Sequence, residues 1–127
     1  MDAMVAHDPG TLFTKGVKFT ENGVRLPLGE GLWSSIVGKG GYKFCVPDVE
    51  TRQIGFIDTA REENETGGSD LVAIALRLKI ANGRISEAEQ LILRGDVGWT
   101  NSVGASLEKM EKPHPDPFFF HFPCGVE

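Results

Sequence analysis

Carboxylates that fall among apolar residues of predicted strands are the first candidates for chemistry in this sequence. Asp58 shares one face of a predicted strand with Ile54 and Phe56, and a carboxylate on an apolar face is costly unless it is paired or functional. Glu87 and Glu89 continue another apolar face further along the chain. Burial raises the pKa of such a carboxyl group, which suits it to general acid–base catalysis. The alternatives are that Asp58 lies at the solvated end of its strand and that the two glutamates form ion pairs on a solvated face.

Aromatic side chains supply the second group of candidates. Tyr42 is the only tyrosine, and its hydroxyl could donate a proton as well as line a pocket. Trp33, Phe44 and Phe56 are candidates for the walls of a ligand pocket or for the hydrophobic core. One or two carboxylates, a tyrosine and aromatic walls would make an apolar cavity suited to acid–base chemistry.

Neither the histidines nor the cysteines are spaced as metal ligands. His7, His114 and His121 are scattered, and none has a Cys, Asp or Glu partner at ligand spacing. Cys45 and Cys124 form neither a disulfide framework nor a metal site by spacing, so we interpret them as buried or free thiols. The sequence therefore predicts no metal and no cofactor.

Charge and length narrow the class of protein. The net charge of -5 argues against nucleic acid and against an anionic membrane surface as partners. A chain of 127 residues forms one domain, and a core of that size can hold a small-molecule cavity. The first residues, Met1 to Met4, lack the basic and apolar regions of a signal peptide. We therefore expect a cytoplasmic protein, unless a secretory signal has been removed.

Turn residues divide the chain into hairpins that would position these candidates. Asn-Gly dipeptides are the favoured two-residue hairpin turns, and they occur at 22–23 and 82–83. Glycines bracket a short helix within 29–41, where apolar residues recur at helical spacing. The predicted elements are the end of a helix at 1–7, strands at 17–21 and 24–28, the helix within 29–41, strands at 42–46 and 53–61, and a long hairpin at 71–94.

The long hairpin decides which side chains share a face. A two-residue turn at 82–83 would pair Leu78 with Glu87 and Arg77 with Ala88. Glu87 and Glu89 would then share a face with the leucines of the first strand. The opposite face would carry Arg77, Ala88 and Gln90, small and polar residues that suit a polar-lined pocket.

Several short segments, in this order, resemble a group of fungal SnoaL-like proteins in the nuclear transport factor 2-like superfamily. The segments are Asp8-Pro9, Phe19-Thr20-Glu21-Asn22-Gly23, Leu28-Gly29-Glu30-Gly31-Leu32-Trp33, Arg77-Leu78-Lys79 and Gly83-Arg84-Ile85-Ser86-Glu87-Ala88-Glu89. The resemblance covers roughly residues 3–94. It implies an α+β fold in which short helices cover the concave face of a cone-shaped, curved antiparallel sheet.

The resemblance also implies functions that the residues alone do not. The superfamily includes ketosteroid isomerase, scytalone dehydratase and polyketide cyclases, together with many non-enzymes. Glu21 stands near the position where the isomerase branch carries its general base. By analogy with ketosteroid isomerase, the face with Arg77, Ala88 and Gln90 looks into the cavity, and this competes with the glutamate face. The convex sheet face of this fold commonly pairs with a second copy, so we expect a homodimer.

These observations lead to two hypotheses about function. The first is a cofactor-independent isomerase, cyclase or dehydratase of fungal-type secondary metabolism that acts on an apolar small molecule. Its acid–base candidates are Asp58, Glu21 and Glu89, with Arg77 and Tyr42 as donors. The second is a non-catalytic small-molecule-binding or dimerisation module. We expect one domain at 1–111, followed by a proline- and phenylalanine-rich tail at 112–127 that packs on the body or on a partner chain.

Overall fold

The computed structural model of the protein describes residues 1–95, 107–109 and 111. It has an α+β fold, as predicted, in which a curved six-stranded sheet carries short helices. The elements are α1 (Asp2–Val5), β1 (Phe13–Glu21), β2 (Val24–Arg25), α2 (Leu32–Ser35), β3 (Ile36–Asp48), β4 (Gln53–Glu63), β5 (Ser69–Ala81) and β6 (Arg84–Arg94). Residues 107–109 form a helical turn, and the predicted tail at 112–127 lies outside the described residues.

The sheet is mixed, which corrects the prediction of a purely antiparallel one. Its strand order is β2-β1-β6-β5-β4-β3, and consecutive strands from β3 to β6 form antiparallel hairpins. β1, however, runs parallel to β6. A parallel pair needs a long connection between its strands, and here the rest of the sheet provides it. The parallel pairing could not be read from the local sequence because it joins strands far apart in the chain.

The two Asn-Gly turns are confirmed. Asn22 and Gly23 have φ values of 49° and 81°, and Asn82 and Gly83 have φ values of 52° and 75°. Positive φ at both central residues matches the right-handed twist of the flanking strands, and asparagine and glycine adopt it at little cost. These turns therefore set where β1–β2 and β5–β6 begin to pair.

A β-bulge lies next to the second turn, and it changes the predicted register. The pairs nearest the turn are as predicted, namely Ala81 with Arg84 and Ile80 with Ile85. Ser86 is then an extra residue on β6, so Lys79 pairs with Glu87 where a regular hairpin would pair it with Ser86. Every later partner on β6 is displaced by one residue, and its side chain changes face.

The displaced register overturns both predicted faces of the hairpin. Glu87 and Glu89 pair with Lys79 and Arg77, so they do not continue the face of the leucines. The inner face of the sheet instead carries the following cross-strand pairs: Leu78 with Ala88, Leu76 with Gln90, and Ile74 with Ile92. The predicted faces are therefore correct for the side chains of β5, but the β6 side chains beyond Ser86 lie on the opposite face from the one predicted.

The hydrophobic core fills one half of the inner face. Met4 of α1 and Leu32 and Trp33 of α2 pack there against the sheet, together with the following buried residues: Ile36, Ala60, Val72, Ile74 and Ile92. Trp33 also meets the ring of Phe13 edge-on, with centroids 5.6 Å apart. The helices are too short to cover the whole sheet, so the other half of the inner face is left to form a cavity.

Candidate functional site

A cavity of about 650 Å³ occupies the inner face beyond the helical core. Strands β3, β4 and β5 form its floor, and the first residues of α1 form part of its rim. The floor is mainly apolar, with Ile54, Phe56, Leu76 and Leu78 among its lining side chains. A volume of this size lies within the range of ordinary small-molecule sites.

Asp58 is a carboxylate buried in this cavity. It lies on β4 on the same face as Ile54 and Phe56, as the alternation predicts, and it is only 5% exposed. Its Oδ1 atom has no hydrogen-bond partner among the described residues. Burial raises the pKa of Asp58, while the nearby charge of Lys43 opposes that rise. The alternative that Asp58 sits at a solvated strand end is wrong.

Lys43 is a cavity residue that the sequence reasoning missed. It lies on β3, and its Cα is directly opposite that of Asp58 in the β3–β4 pair. Directly opposite residues on one sheet face have Cβ atoms about 4.5–5.5 Å apart. No local signal marks this lysine, because the pairing of β3 with β4 depends on a second irregularity.

That irregularity is a bulge of three residues in the middle of β3. Lys39 pairs with Ala60 and Lys43 with Asp58, so residues 40–42 stand opposite the single residue Thr59. A Cβ at position 40 would come within 2.1 Å of the Thr59 Oγ1 atom and 2.7 Å of its carbonyl carbon. Only glycine can therefore occupy that position without a backbone shift.

The bulge is also held by hydrogen bonds, and it brings Tyr42 to the cavity. The Tyr42 N–H donates to Thr59 Oγ1 at 3.1 Å, and the Thr59 hydroxyl donates to Glu111. The other carboxylate oxygen of Glu111 accepts the Gly41 N–H at 2.6 Å. Tyr42 is among the residues that line the cavity, where the sequence suggested it as a donor.

Glu21 lies on the inner face but outside the residues that line the cavity. Its carboxylate accepts the Leu32 N–H at 2.7 Å and lies 3.7 Å from Arg94 Nη2. A Cβ at Gly31, whose φ is 63°, would come within 2.8 Å of the same carboxylate. Glu21 therefore joins the start of α2 to the sheet, and Gln90 reaches it from β6 at 3.5 Å.

A second polar contact ties α2 to the sheet. Glu62 accepts two hydrogen bonds from Arg94, at 2.7 and 2.8 Å, and one from the Ser35 hydroxyl at 2.7 Å. The hydrogen bonds from Arg94, followed by the one from Ser35, hold the pKa of Glu62 below its usual value against the effect of burial. This cluster supports the helix that closes one side of the core.

Arg77 and Glu89 lie on the outer face of the sheet, away from the cavity. One Arg77 nitrogen lies 2.9 Å from Glu87 and 3.1 Å from Glu89, and another donates to Gln53 at 2.9 Å. The Arg77 hydrogen bond lowers the pKa of Glu87. Glu87 and Glu89 therefore form ion pairs with Arg77 on the outer face. This is the alternative that the sequence analysis gave for the two glutamates. Phe44 also points to the outer face, since its Cα partner is Ile57.

The remaining predicted pocket residues divide between core and cavity. Trp33 belongs to the helical core, and Ala88 and Gln90 are buried on the inner face but do not line the cavity. Phe56 does line it. The cavity thus gathers Asp58, Tyr42 and Phe56 from the predicted set and adds Lys43.

Other features of the described residues bear on the class of site. Within 1–95, 107–109 and 111, no group of three or more His, Cys, Asp or Glu side chains could hold a metal ion. Cys45 is disulfide-bonded, which corrects the interpretation of that residue as a thiol. In the same part of the chain, no helix has the length and apolar character needed to cross a bilayer.

The fold is similar to those of two solved structures. The "Putative Isomerase from Bacillus subtilis" is 12% identical, the match covers 73% of this chain and 80% of that one, and the TM-score is 0.55. "AclR a putative hydroxylase from Streptomyces galilaeus" is also 12% identical, with 91% and 85% covered and a TM-score of 0.55. The chain shares the fold of both proteins. No protein-family profile and no curated protein matches it.

Identities this low show the fold alone. That fold is compatible with the nuclear transport factor 2-like architecture that the sequence motifs predicted. Function must therefore be argued from the cavity and its side chains.

Proposed function

We propose that the protein is a cofactor-independent acid–base enzyme that acts on an apolar small molecule in the inner-face cavity. The observation that carries the proposal is Asp58, a buried carboxylate with an unpartnered oxygen in a mainly apolar cavity. A buried polar group without a partner costs about 1–3 kcal/mol, and more when charged. Such a cost is expected at a functional site, where a raised pKa and an open lone pair serve proton transfer.

Asp58 would move the proton, and its neighbours would hold the substrate. The carboxylate takes a proton from a carbon or hydroxyl group of the substrate, and the resulting carboxylic acid returns it at another position. Tyr42, on the same cavity wall, would act as a second donor. The apolar floor around Phe56 would bind the body of the substrate and keep competing water away from the reacting group.

A proton transfer of this kind could serve an isomerase, a cyclase or a dehydratase. The names of the two similar structures, an isomerase in one case and a hydroxylase in the other, support an enzyme on this fold in general terms. The role in fungal-type secondary metabolism rests on the sequence resemblance and stays a prediction.

Hydrogen–deuterium exchange tests the proposal without knowledge of the natural substrate. A panel of apolar ketones with exchangeable α-protons is incubated with the protein in D₂O, and deuterium uptake is followed by NMR. We expect the wild type to accelerate exchange for at least one ketone and Asp58→Asn to abolish it. The matched control is Asp70→Asn, which makes the same change at an exposed position on β5. Equal rates for wild type and Asp58→Asn would refute the proposal.

The outer face favours a second candidate function, dimerisation. Phe44, Ile57, Ala75 and Leu91 are directly opposite one another on four neighbouring strands and make an apolar row across the sheet. Leu91 is 56% exposed, and Val46 beside the row is also exposed. Contiguous apolar surface of this kind marks interaction sites, and we propose a second copy of the chain as its partner.

Light scattering coupled to size-exclusion chromatography measures the mass of the assembly. We expect about twice the 13.8 kDa of one chain, and we expect Leu91→Asp to return the protein to a monomer. The control is Val49→Asp, which places a carboxylate on a side chain that is 87% exposed in the β3–β4 turn. A monomeric wild type, or a dimer that Leu91→Asp leaves intact, would overturn this candidate.

A further inference from the structure

We propose that the C-terminal segment at 112–124, which we call the strap, crosses the inner-face cavity and is fixed there by a disulfide bond between Cys45 and Cys124. Reduction of that bond releases the strap and opens the cavity. Access to the cavity is then controlled by redox chemistry, whatever reaction takes place inside it.

The cysteine count of the chain identifies the two ends of the bond. Cys45 is disulfide-bonded, and it lines the cavity with only 5% of its surface exposed. The sequence contains one other cysteine, Cys124. A bond within one chain must therefore join these two residues. The Cα atoms of a disulfide lie about 4.4–6.8 Å apart, so the bond holds residue 124 against the cavity wall.

The strap begins beside the same cavity, because Glu111 is tied to the bulge of β3. Its carboxylate accepts the Gly41 N–H at 2.6 Å and a hydrogen bond from the Thr59 hydroxyl. Thr59 lines the cavity, and so do Gly40 and Tyr42 of the bulge. Both ends of the strap are therefore attached where β3 borders the cavity.

The length of the strap allows it to cross the cavity. Gly41, which holds Glu111, is four positions from Cys45 on β3, a distance of about 13 Å along an extended strand. Thirteen residues lead from Glu111 to Cys124, and in the extended form that prolines favour they reach about 40 Å at about 3.1 Å each. The direct path therefore uses about a third of the reach, and the remaining length lies over the cavity floor.

The strap and the cavity floor are both apolar. The strap carries four phenylalanines close to Cys124, at positions 118, 119, 120 and 122. On the floor, Phe56 is directly opposite Cys45, and Leu76 is directly opposite Phe56. Phe56 and Leu76 are only half-buried, and both line the cavity. Apolar side chains gain free energy by leaving water, so the phenylalanines pack on this row when the bond holds them beside it.

The bond makes the position of the strap depend on the thiol–disulfide balance. A dithiol reductant gives up two electrons and two protons, and its own sulfurs join in a disulfide. The Cys45–Cys124 bond breaks, and each of its two sulfurs becomes a thiol. Disulfides persist in oxidising compartments and are reduced in the cytosol, so the strap is closed in the first environment and released in the second.

Peptide mapping without reductant tests the bond. The full chain is equilibrated with oxidised glutathione, and its remaining thiols are alkylated before digestion. Trypsin cuts after Lys43, Arg52 and Lys109, so the two cysteines fall in peptides 44–52 and 110–127. We expect one linked pair of these peptides, which separates on reduction. Two copies of peptide 44–52 joined to each other, or alkylated cysteines in both peptides, would refute the bond.

Entry of a dye tests whether the strap covers the cavity. Prodan is a neutral apolar dye that fluoresces in apolar surroundings, and stopped flow follows its binding. Binding that needs a conformational change is slow, so we expect reduction by a phosphine to raise the association rate about tenfold or more. Cys124→Ser should bind as fast as the reduced wild type and show no response to the phosphine. Val126→Ser makes a similar change two positions away, keeps the bond and should respond like the wild type.

Three results would overturn the covering role of the strap. The first is a linked peptide pair together with a dye association rate that neither reduction nor Cys124→Ser changes. The second is a rate that reduction raises equally in Cys124→Ser, because the phosphine would then act elsewhere. The third is a faster rate accompanied by loss of the circular dichroism signal, since the bond would then hold the fold together and not control access.

Discussion

Replacing Asp58 by asparagine should make the protein more stable while removing its activity. The two side chains have nearly the same shape, but asparagine carries no charge. Asp58 is 5% exposed, and its Oδ1 has no partner among the described residues. An unsatisfied buried group costs about 1–3 kcal/mol, and the amide still bears part of that cost. We therefore expect the free energy of unfolding to rise by about 1–2 kcal/mol at pH values above the raised pKa of Asp58.

The direction of the pKa shift makes this gain depend on pH. Burial raises the pKa of Asp58 in the folded state above its ordinary value of 3.8. The folded state then binds the proton more tightly than the unfolded state, so the wild type loses stability as pH rises from 3.8 through the raised value. Below 3.8 both states are protonated, and the wild type and Asp58→Asn should be about equally stable. Above the raised pKa the full difference should be present.

Urea denaturation between acidic and neutral pH measures this difference. Wild type, Asp58→Asn and the Asp70→Asn control are unfolded in parallel, and the free energies are extrapolated to water. The curves of wild type and Asp58→Asn should meet at low pH and separate as pH rises, while the control shows no such separation. An Asp58→Asn variant that is less stable at neutral pH, or a gain that does not change with pH, would refute the reasoning.

Three further predictions concern the elements that position the site. Deletion of Ser86 removes the β6 bulge but leaves Lys79 opposite Glu87 and Leu78 opposite Ala88, so the later side chains keep their faces and the loss should be about 0.5–3 kcal/mol, the range of an ordinary local change. Gly40→Ala should cost about 1–3 kcal/mol through overpacking in the β3 bulge. Glu62→Gln should cost about 1.5–3 kcal/mol at neutral pH by weakening the hydrogen bonds to Arg94, and the loss should vanish as pH falls below the lowered pKa of Glu62.

The same urea denaturation experiments check all three predictions. Ser86→Ala keeps the bulge and loses only a hydroxyl contact of 3.2 Å, so it should be nearly neutral. Gly16→Ala meets no atom within 4 Å and should be nearly neutral. A Ser86 deletion that unfolds the protein, a harmless Gly40→Ala, or a Glu62→Gln effect that persists at low pH would each contradict the corresponding prediction.

Short-range patterns in the sequence were enough to predict several parts of the site. The Asn-Gly pairs predict both hairpin turns because their φ preferences are local. Alternation along β4 predicts that Asp58 shares the buried face of Ile54 and Phe56, since strand side chains alternate whatever the partner strand. The candidate carboxylate of the cavity was therefore identifiable before the sheet was known.

What only the tertiary structure decided is which strands meet and in what register. The extra residue at Ser86 and the three-residue bulge in β3 depend on cross-strand contacts, such as the fit of Gly40 against Thr59. Each bulge changes the partners or the face of every side chain beyond it. That is why Glu89 proved to lie outside the cavity and Lys43 inside it, although neither position is marked in the chain itself.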